Sequence, residues 1–476
     1  MFTGMIWHII AKIVFVLGSY LLHFYLGQKL SVEEYGIVGT IITIINFDYL
    51  FFSNGARQAV SKTIAQNKYD VWDIIKKGST VQIIIVFIIF VANFKGSTII
   101  ASLLGDHNLI NYIKYVAYLI PFTGIYFLCL GILNGFRLFK SEAIIAIIYP
   151  ILKLGVIIFV NYFQPIEGTI TGFLAAVIII AIISLHQVYL NRKLYIKREE
   201  TISYQEFLKT TLSYSILFSV VSVIMNCGIL FLRHFSQNNT IVGYYTGCTT
   251  FGQVPYFLLT AIYLVTLPVI TKYYNEANLS KVRQVIKDIL LLVVVILLPV
   301  ATIIAGYSGP ILTTFYKNEF IFAANSLSIL ILGTFCLGIT IILNMIISST
   351  NQKKFNTILS LVMLSTQIIL CYLLTKKYHI NGPSISLFIV AFVSMSISYL
   401  YLKNILGKIL ERKHFLIILS NIILFYLTKL FSKYITSNSF LFTLLLCAIT
   451  YIIHFIILMI FMKINPKNLI KKLLGK

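Results

Sequence analysis

Four basic side chains and one acid stand where charge is costly. Lys12, Arg57, Lys153 and Arg233 lie inside long apolar runs, and so does Asp48. A charge at the centre of a bilayer costs about 2.5–3.5 kcal/mol on insertion scales, so such groups face a cavity or a partner. At a rise of ~1.5 Å per residue, Lys12 lies roughly 12 Å into the apolar layer, and Lys153, shortly after Pro150, about 15 Å. Both are too deep to be loop residues, although snorkelling relieves part of the cost. Arg57, about one turn from an inner end, and Arg233, near an outer end, are equally served by snorkelling or by a site. Three cations against one acid in the first half of the chain favour an anion. Phosphate and pyrophosphate oxygens are strong acceptors for Lys and Arg.

The neighbouring polar residues are spaced to share helix faces. At ~100° per residue, His8, Lys12, Ser19 and His23 fall within roughly 60° of arc. Gly36, Gly39, Thr43, Asn46, Asn54, Arg57 and Ser61 occupy roughly 80°, interrupted by Leu50. Ser215, Ser219, Ser222, Asn226 and Arg233 repeat the pattern, as do Thr246, Thr249, Thr250, Gln253, Thr260 and Thr271. A wet cavity bordered by these four stripes accounts for them with one assumption. Small and hydroxyl residues are also ordinary glue between membrane helices. Asp48 lies roughly opposite the Asn46–Arg57 stripe, where it can neutralise a lysine of a neighbouring span or carry a proton. His8 and His23 can carry protons, or be hydrogen-bonded inside the bundle.

The elements that position these residues are membrane helices. The chain has 476 residues, 59% hydrophobic and 11% charged, with mean hydropathy +0.91; a soluble domain carries about 25% charge. Apolar blocks of about 20 residues fit helices and not the ~10-residue strands of a barrel. About fourteen blocks qualify: 4–27, 35–61, 78–97, 110–135, 143–163, 169–190, 210–234, 241–271, 284–306, 324–349, 357–375, 383–402, 415–432 and 438–462. The first block is read as an uncleaved span, since no basic n-region precedes it and no soluble domain follows.

The net charge of +23 is not a nucleic-acid footprint, because the basic residues occupy short loops between apolar blocks. Of the 38 Lys and Arg, roughly 26 fall in alternate segments that include both termini, about 8 in the others, and four are embedded. That bias places both ends in the cytoplasm and the basic loops against anionic lipid.

Tyr35-Gly36 opens the second span and Gly243-Tyr244 the eighth; Asn134-Gly135 and Ser348-Ser349 close the fourth and tenth before basic turns. Six spans separate each pair. The expected organisation is a six-helix bundle over 1–205, a second over 206–405, and two further helices with a basic cytoplasmic tail over 406–476. Repeated halves place a substrate site at their interface.

Other chemistry is absent from the motifs. No P-loop, H-E-x-x-H or G-x-S-x-G occurs, which lowers the case for an enzyme. Six cysteines lie in or beside apolar blocks without a C-x-x-C pair, so they are read as small hydrophobes and no metal is expected.

Leu26-Gly27-Gln28-Lys29-Leu30-Ser31-Val32-Glu33-Glu34-Tyr35-Gly36, followed by Asn54-Gly55-Ala56, Ala59-Val60-Ser61-Lys62 and Ile64-Ala65, resembles the polysaccharide exporters of the multidrug/oligosaccharidyl-lipid/polysaccharide exporter superfamily. Within it the chain is similar to flippases for O-antigen and capsule repeat units. The resemblance implies an all-α fold, two pseudo-symmetric six-helix bundles around a central cavity plus two C-terminal helices, and alternating access in a bacterial inner membrane. It also implies a polyprenyl-diphosphate-linked oligosaccharide as cargo, with a polysaccharide polymerase, assembly machinery and membrane lipids as further partners and no nucleic acid. No cofactor is expected beyond coupling to H+ or Na+. The expected substrate-binding residues are Lys12, Arg57, Lys153, Asn46, Asn54, Asn226, Arg233 and Gln253; those expected for ion coupling are Asp48, His8 and His23. Fourteen spans also resemble the peptidoglycan-precursor flippases, but spans 8 to 12 lack the embedded arginines of that group. An ion-coupled drug exporter remains an alternative, as does, in another class, a membrane polysaccharide polymerase or glycosyltransferase.

Overall fold

The computed structural model describes residues 2–195, 197–276, 278–349, 353–435 and 439–462. Side chains within 2–6, 9, 213–218, 261, 263–269, 271–272, 275, 349, 353 and 462 are not described. Ser215, Thr271 and the basic tail beyond 462 therefore lie outside the described side chains.

The described residues form helices and no strands. In chain order the long helices are α1 Phe2–Lys29, α2 Val32–Ala65, α3 Val71–Phe94, α4 Leu109–Gly135, α5 Phe139–Tyr162, α6 Pro165–Leu190, α7 Tyr204–Ser236, α8 Asn239–Gly252, α9 Val254–Asn275, α10 Leu279–Gly306, α11 Ala324–Ser349, α12 Lys353–Tyr378, α13 Gly382–Leu406, α14 Arg412–Ser432 and α15 Phe440–Met462. Among the described residues, 12 stretches are long and apolar enough to cross a membrane. The stretch Lys354–Leu406 contains both α12 and α13, and the expected span 241–271 is divided between α8 and α9, outside the twelve. The chain is thus a helical, multi-pass membrane protein.

Proline explains several interruptions, because it removes a backbone donor and its ring crowds the preceding turn. α4 breaks at Tyr118, ahead of Pro121; α8 ends ahead of Pro255; α10 widens into a π-turn at Val293–Leu297, ahead of Pro299. In α5, Pro150 lies inside the helix, which breaks at Leu154-Gly155. A short helix follows the third span at Ser97–Leu103, and another follows α10 at Ser308–Phe315. This places an extra helix of about two turns at the same point of each half.

Packing divides the chain into Met1–Gly243 and Tyr244–Lys476. The sequence-based boundary at 205/206 comes one helix earlier. α7 belongs to the first unit by contact: Ile202 and Phe207 join Val60, Ile74 and Ile132 in one core. In that unit α1 and α5 run parallel, with His8 near Glu142 and Gly18 against Pro150. α2 runs antiparallel to α5, with Tyr49 meeting Tyr149 and Arg57 meeting Glu142. α2 and α8 touch backbone to backbone: a Cβ on Gly36 would come 1.9 Å from the Asn239 carbonyl.

In the second unit, α14 and α15 pack on α10. Ile417 and Leu458 pack with Val294 and Val295 of α10, and Gly306 leaves room for Thr428. Lys287 pairs with Glu411 at 2.8 Å just before α14.

Candidate functional site

The polar residues of the first unit collect along α5. Glu142, Tyr149 and Lys153 are spaced by 7 and 4, which puts them within roughly 40° of one face at ~100° per residue. That face receives α1, α2, α4 and α6.

At one end is an ion-paired cluster. The Arg57 Nη2 donates to Glu142 Oε1 at 2.8 Å, and Asn134 Nδ2 donates to Glu142 Oε2 at 2.6 Å. His8 Nε2 lies 3.5 Å from Glu142 Oε2, and Ser61 Oγ donates to Asn134 Oδ1 at 2.9 Å. The Glu142 side chain is 3% exposed and that of Arg57 23%. The Arg57 guanidinium also sits 5.8 Å from the Phe127 ring centre. Arg57, expected to be served by snorkelling or by a site, is thus paired with an acid in the first turn of α5.

A wide turn aims Arg57 this way. Residues Phe52–Ala56 form a π-turn inside α2. One extra residue per turn rotates all that follows by about 100° relative to a straight helix. The single polar stripe expected along α2 is thereby split. Gly36 faces α8, whereas Arg57 and Ser61 face α4 and α5. Asn46 and Asn54 are half-buried on the intervening stretch.

Midway along α5, the Tyr49 and Tyr149 hydroxyls meet at 2.9 Å, and the Tyr126 ring lies 5.1 Å from that of Tyr149. Beyond them Lys153 Nζ sits 4.7 Å from the Phe173 ring centre and 5.7 Å from that of Tyr149. Among the described residues Lys153 takes part in no ion pair. Aromatic faces attract a cation without neutralising it. His23 Nδ1 meets the Tyr35 hydroxyl at 3.0 Å. Lys12 is exposed on α1, with Nζ 5.8 Å from the Phe15 ring centre.

The other expected residues go elsewhere. Asp48 is buried, and Asn93 Nδ2 of α3 donates to it at 3.0 Å. Arg233 is 1% exposed and paired with Asp106, an acid from the loop before α4. Its guanidinium ties the end of α7 to that loop. Asn226 donates to the carbonyl of Ser222 on its own helix at 2.8 Å. Gln253 is half-buried in the linker between α8 and α9. Among the described residues no group of three His, Cys, Asp or Glu is placed to hold a metal ion.

Sequence reasoning missed Glu142, Asn93, Asp106 and the tyrosines of α2, α4 and α5. The spacing of Glu142, Tyr149 and Lys153 was the available signal.

Comparison with solved structures shows a shared fold. Lipid II flippase MurJ in an inward closed conformation matches with a TM-score of 0.73 at 17% identity, over 96% of this chain and 99% of that chain. An inward-facing multidrug resistance MATE family transporter of the MOP superfamily matches with 0.66 at 14% identity, over 83% and 94%. A MOP superfamily transporter from Pyrococcus furiosus matches with 0.61 at 15% identity, over 85% and 95%. No curated protein sequence matches. The sequence profile of the polysaccharide biosynthesis protein family, in contrast, matches residues 27–325, more than half of the chain and all of α2 to α10: the protein belongs to that family.

Proposed function

We propose that the protein is a flippase that carries a polyprenyl-diphosphate-linked oligosaccharide from the cytoplasmic to the outer leaflet of a bacterial inner membrane, with both termini in the cytoplasm. The observation that carries this reading is Lys153, an ammonium between aromatic faces within the helices of the first unit and in no ion pair among the described residues. A diphosphate supplies the missing negative charge, and its oxygens accept strongly from Lys. Lys12, on the neighbouring α1, is the second cation for the same headgroup. The polar residues of α2 solvate the sugars, while the prenyl tail stays in lipid. The physical need is plain, since a charged headgroup bearing sugars does not cross hydrocarbon unaided. Membership of a polysaccharide biosynthesis family supports the cargo class.

The test is flipping of a fluorescent polyprenyl-diphosphate oligosaccharide in proteoliposomes. Lys153→Ala is expected to reduce the initial rate by about tenfold or more, the loss of one charge-assisted contact, with unchanged reconstitution yield. Wild-type rates in Lys153→Ala and Lys12→Ala would remove the site.

A second reading is favoured by one observation: the fold likeness to the lipid II flippase covers 96% of this chain, against 83% for the MATE transporter. It makes the cargo a peptidoglycan precursor on the same prenyl diphosphate. Competition between the two lipid-linked headgroups in the same vesicles separates the readings.

A further inference from the structure

At the end of the first unit remote from the Lys/Arg-rich loops, a cleft of about 480 Å³ opens between the ends of α3, α4 and α6. That volume lies within the range of small-molecule sites. Asn111, Lys114, Tyr115 and Tyr118 of α4 line it, with Tyr112 beside them and Glu167 from the first turn of α6 opposite. The spacing 111, 114, 115, 118 is one helix face. The other face of this stretch, Leu109, Ile113, Val116 and Ala117, is buried. Tyr115 and Thr171 hydroxyls meet at 2.8 Å and join α4 to α6 beside the cleft. A cation and an anion thus line one cleft, and among the described residues neither is in an ion pair.

Depth narrows the ligand. Five residues at ~1.5 Å each set Lys114 about 8 Å in from Leu109, at the boundary between headgroups and hydrocarbon. Lipid headgroups are present there at far higher concentration than any solute. An anionic lipid would set its phosphate against Glu167, and a neutral sugar would leave both charges uncompensated. A zwitterionic headgroup satisfies both: phosphate on Lys114 and Asn111, ammonium on Glu167 and the tyrosine faces, which bind cations. We infer that this cleft is a site for a phospholipid with a phosphoethanolamine headgroup, bound between α4 and α6 and separate from the Lys153 site.

The experiment uses the full-length protein exchanged into mixed vesicles of phosphatidylethanolamine and phosphatidylglycerol, re-extracted gently and analysed for retained lipid by native mass spectrometry. Wild type should retain phosphatidylethanolamine and phosphatidylglycerol in a ratio about tenfold above that of the vesicle, the effect of one charge-assisted contact. Glu167→Gln and Lys114→Met should each bring retention down to the vesicle ratio, with unchanged gel-filtration profiles. The exchange variant Lys114→Glu/Glu167→Lys keeps both charges in the cleft and should keep the preference, which guards against loss through misfolding. Retained lipid in vesicle proportions from wild type, or undiminished enrichment with Glu167→Gln, would overturn the assignment. So would displacement of the lipid by a soluble neutral oligosaccharide.

Discussion

Replacing Glu142 by Gln isolates the charge of the ion-paired cluster while keeping the shape of the side chain. Glu142 is 3% exposed and receives Arg57, Asn134 and His8. Gln leaves Arg57 without a counter-charge and turns an amide donor toward one of three donors. Removing one partner of a fully buried pair costs about 3–5 kcal/mol. The Arg57 side chain keeps 23% of its surface open, so solvent screens part of the exposed charge and about 2 kcal/mol is expected. That corresponds to a fall of roughly 4 °C or more in the thermal midpoint of a unit this size. The assay is fluorescence-detected gel filtration after a heating series, on wild type, Glu142→Gln, Arg57→Gln and the double variant. The double variant should be more stable than the sum of the singles predicts by about 1 kcal/mol or more, since neither charge is then stranded. Strict additivity within about 0.5 kcal/mol would refute the claim that these groups form one unit.

The same heating series tests three further expectations. Asp106→Asn strands Arg233, which is 1% exposed, so it should cost about 3–5 kcal/mol and exceed Glu142→Gln; the reverse order would count against the burial argument. Gly36→Ala sets a Cβ 1.9 Å from one backbone atom and 2.8 Å from another, so α2 and α8 must part, at about 1–3 kcal/mol. Gly18→Ala, whose neighbour is the Pro150 Cβ at 3.1 Å, should be far milder. Glu411 is held below the usual carboxylate range, first by its hydrogen bond from Lys287. A lowered folded pKa stabilises above the unfolded value of about 4.3 and is lost as pH falls through the folded one. Glu411→Gln should therefore lower the midpoint at neutral pH and converge with wild type in acid. At 50% exposure the difference is about 0.5 kcal/mol or less.

Hydropathy located the helices because the need to satisfy every backbone group in lipid leaves helix as the solution for long apolar runs. The breaks at Pro121, Pro255 and Pro299 were legible in the same letters, whereas the wide turn at 52–56, with no proline near it, was not. Partners were harder to read than elements. Lys153 stood out as a deep cation, and the structure sets it among rings. Arg57 and Arg233 stood out equally, yet each is matched by an acid distant in sequence, Glu142 and Asp106, that hydropathy assigns to loops. Asp48 and Asn93 are 45 residues apart and on different helices, a pairing that only tertiary packing creates. Straight-helix arithmetic failed for α2 because a rotation in mid-helix redistributes its polar face.

The widened turn at Phe52–Ala56 and the carboxylate of Glu142 are thermodynamically linked. Were that turn to tighten to ordinary helix, the guanidinium would swing by about 100° out of reach of its acid. Each therefore biases the other by the same free energy, as linkage requires. An anion that competes with Glu142 for Arg57 would, by the same linkage, lower the cost of rewinding α2.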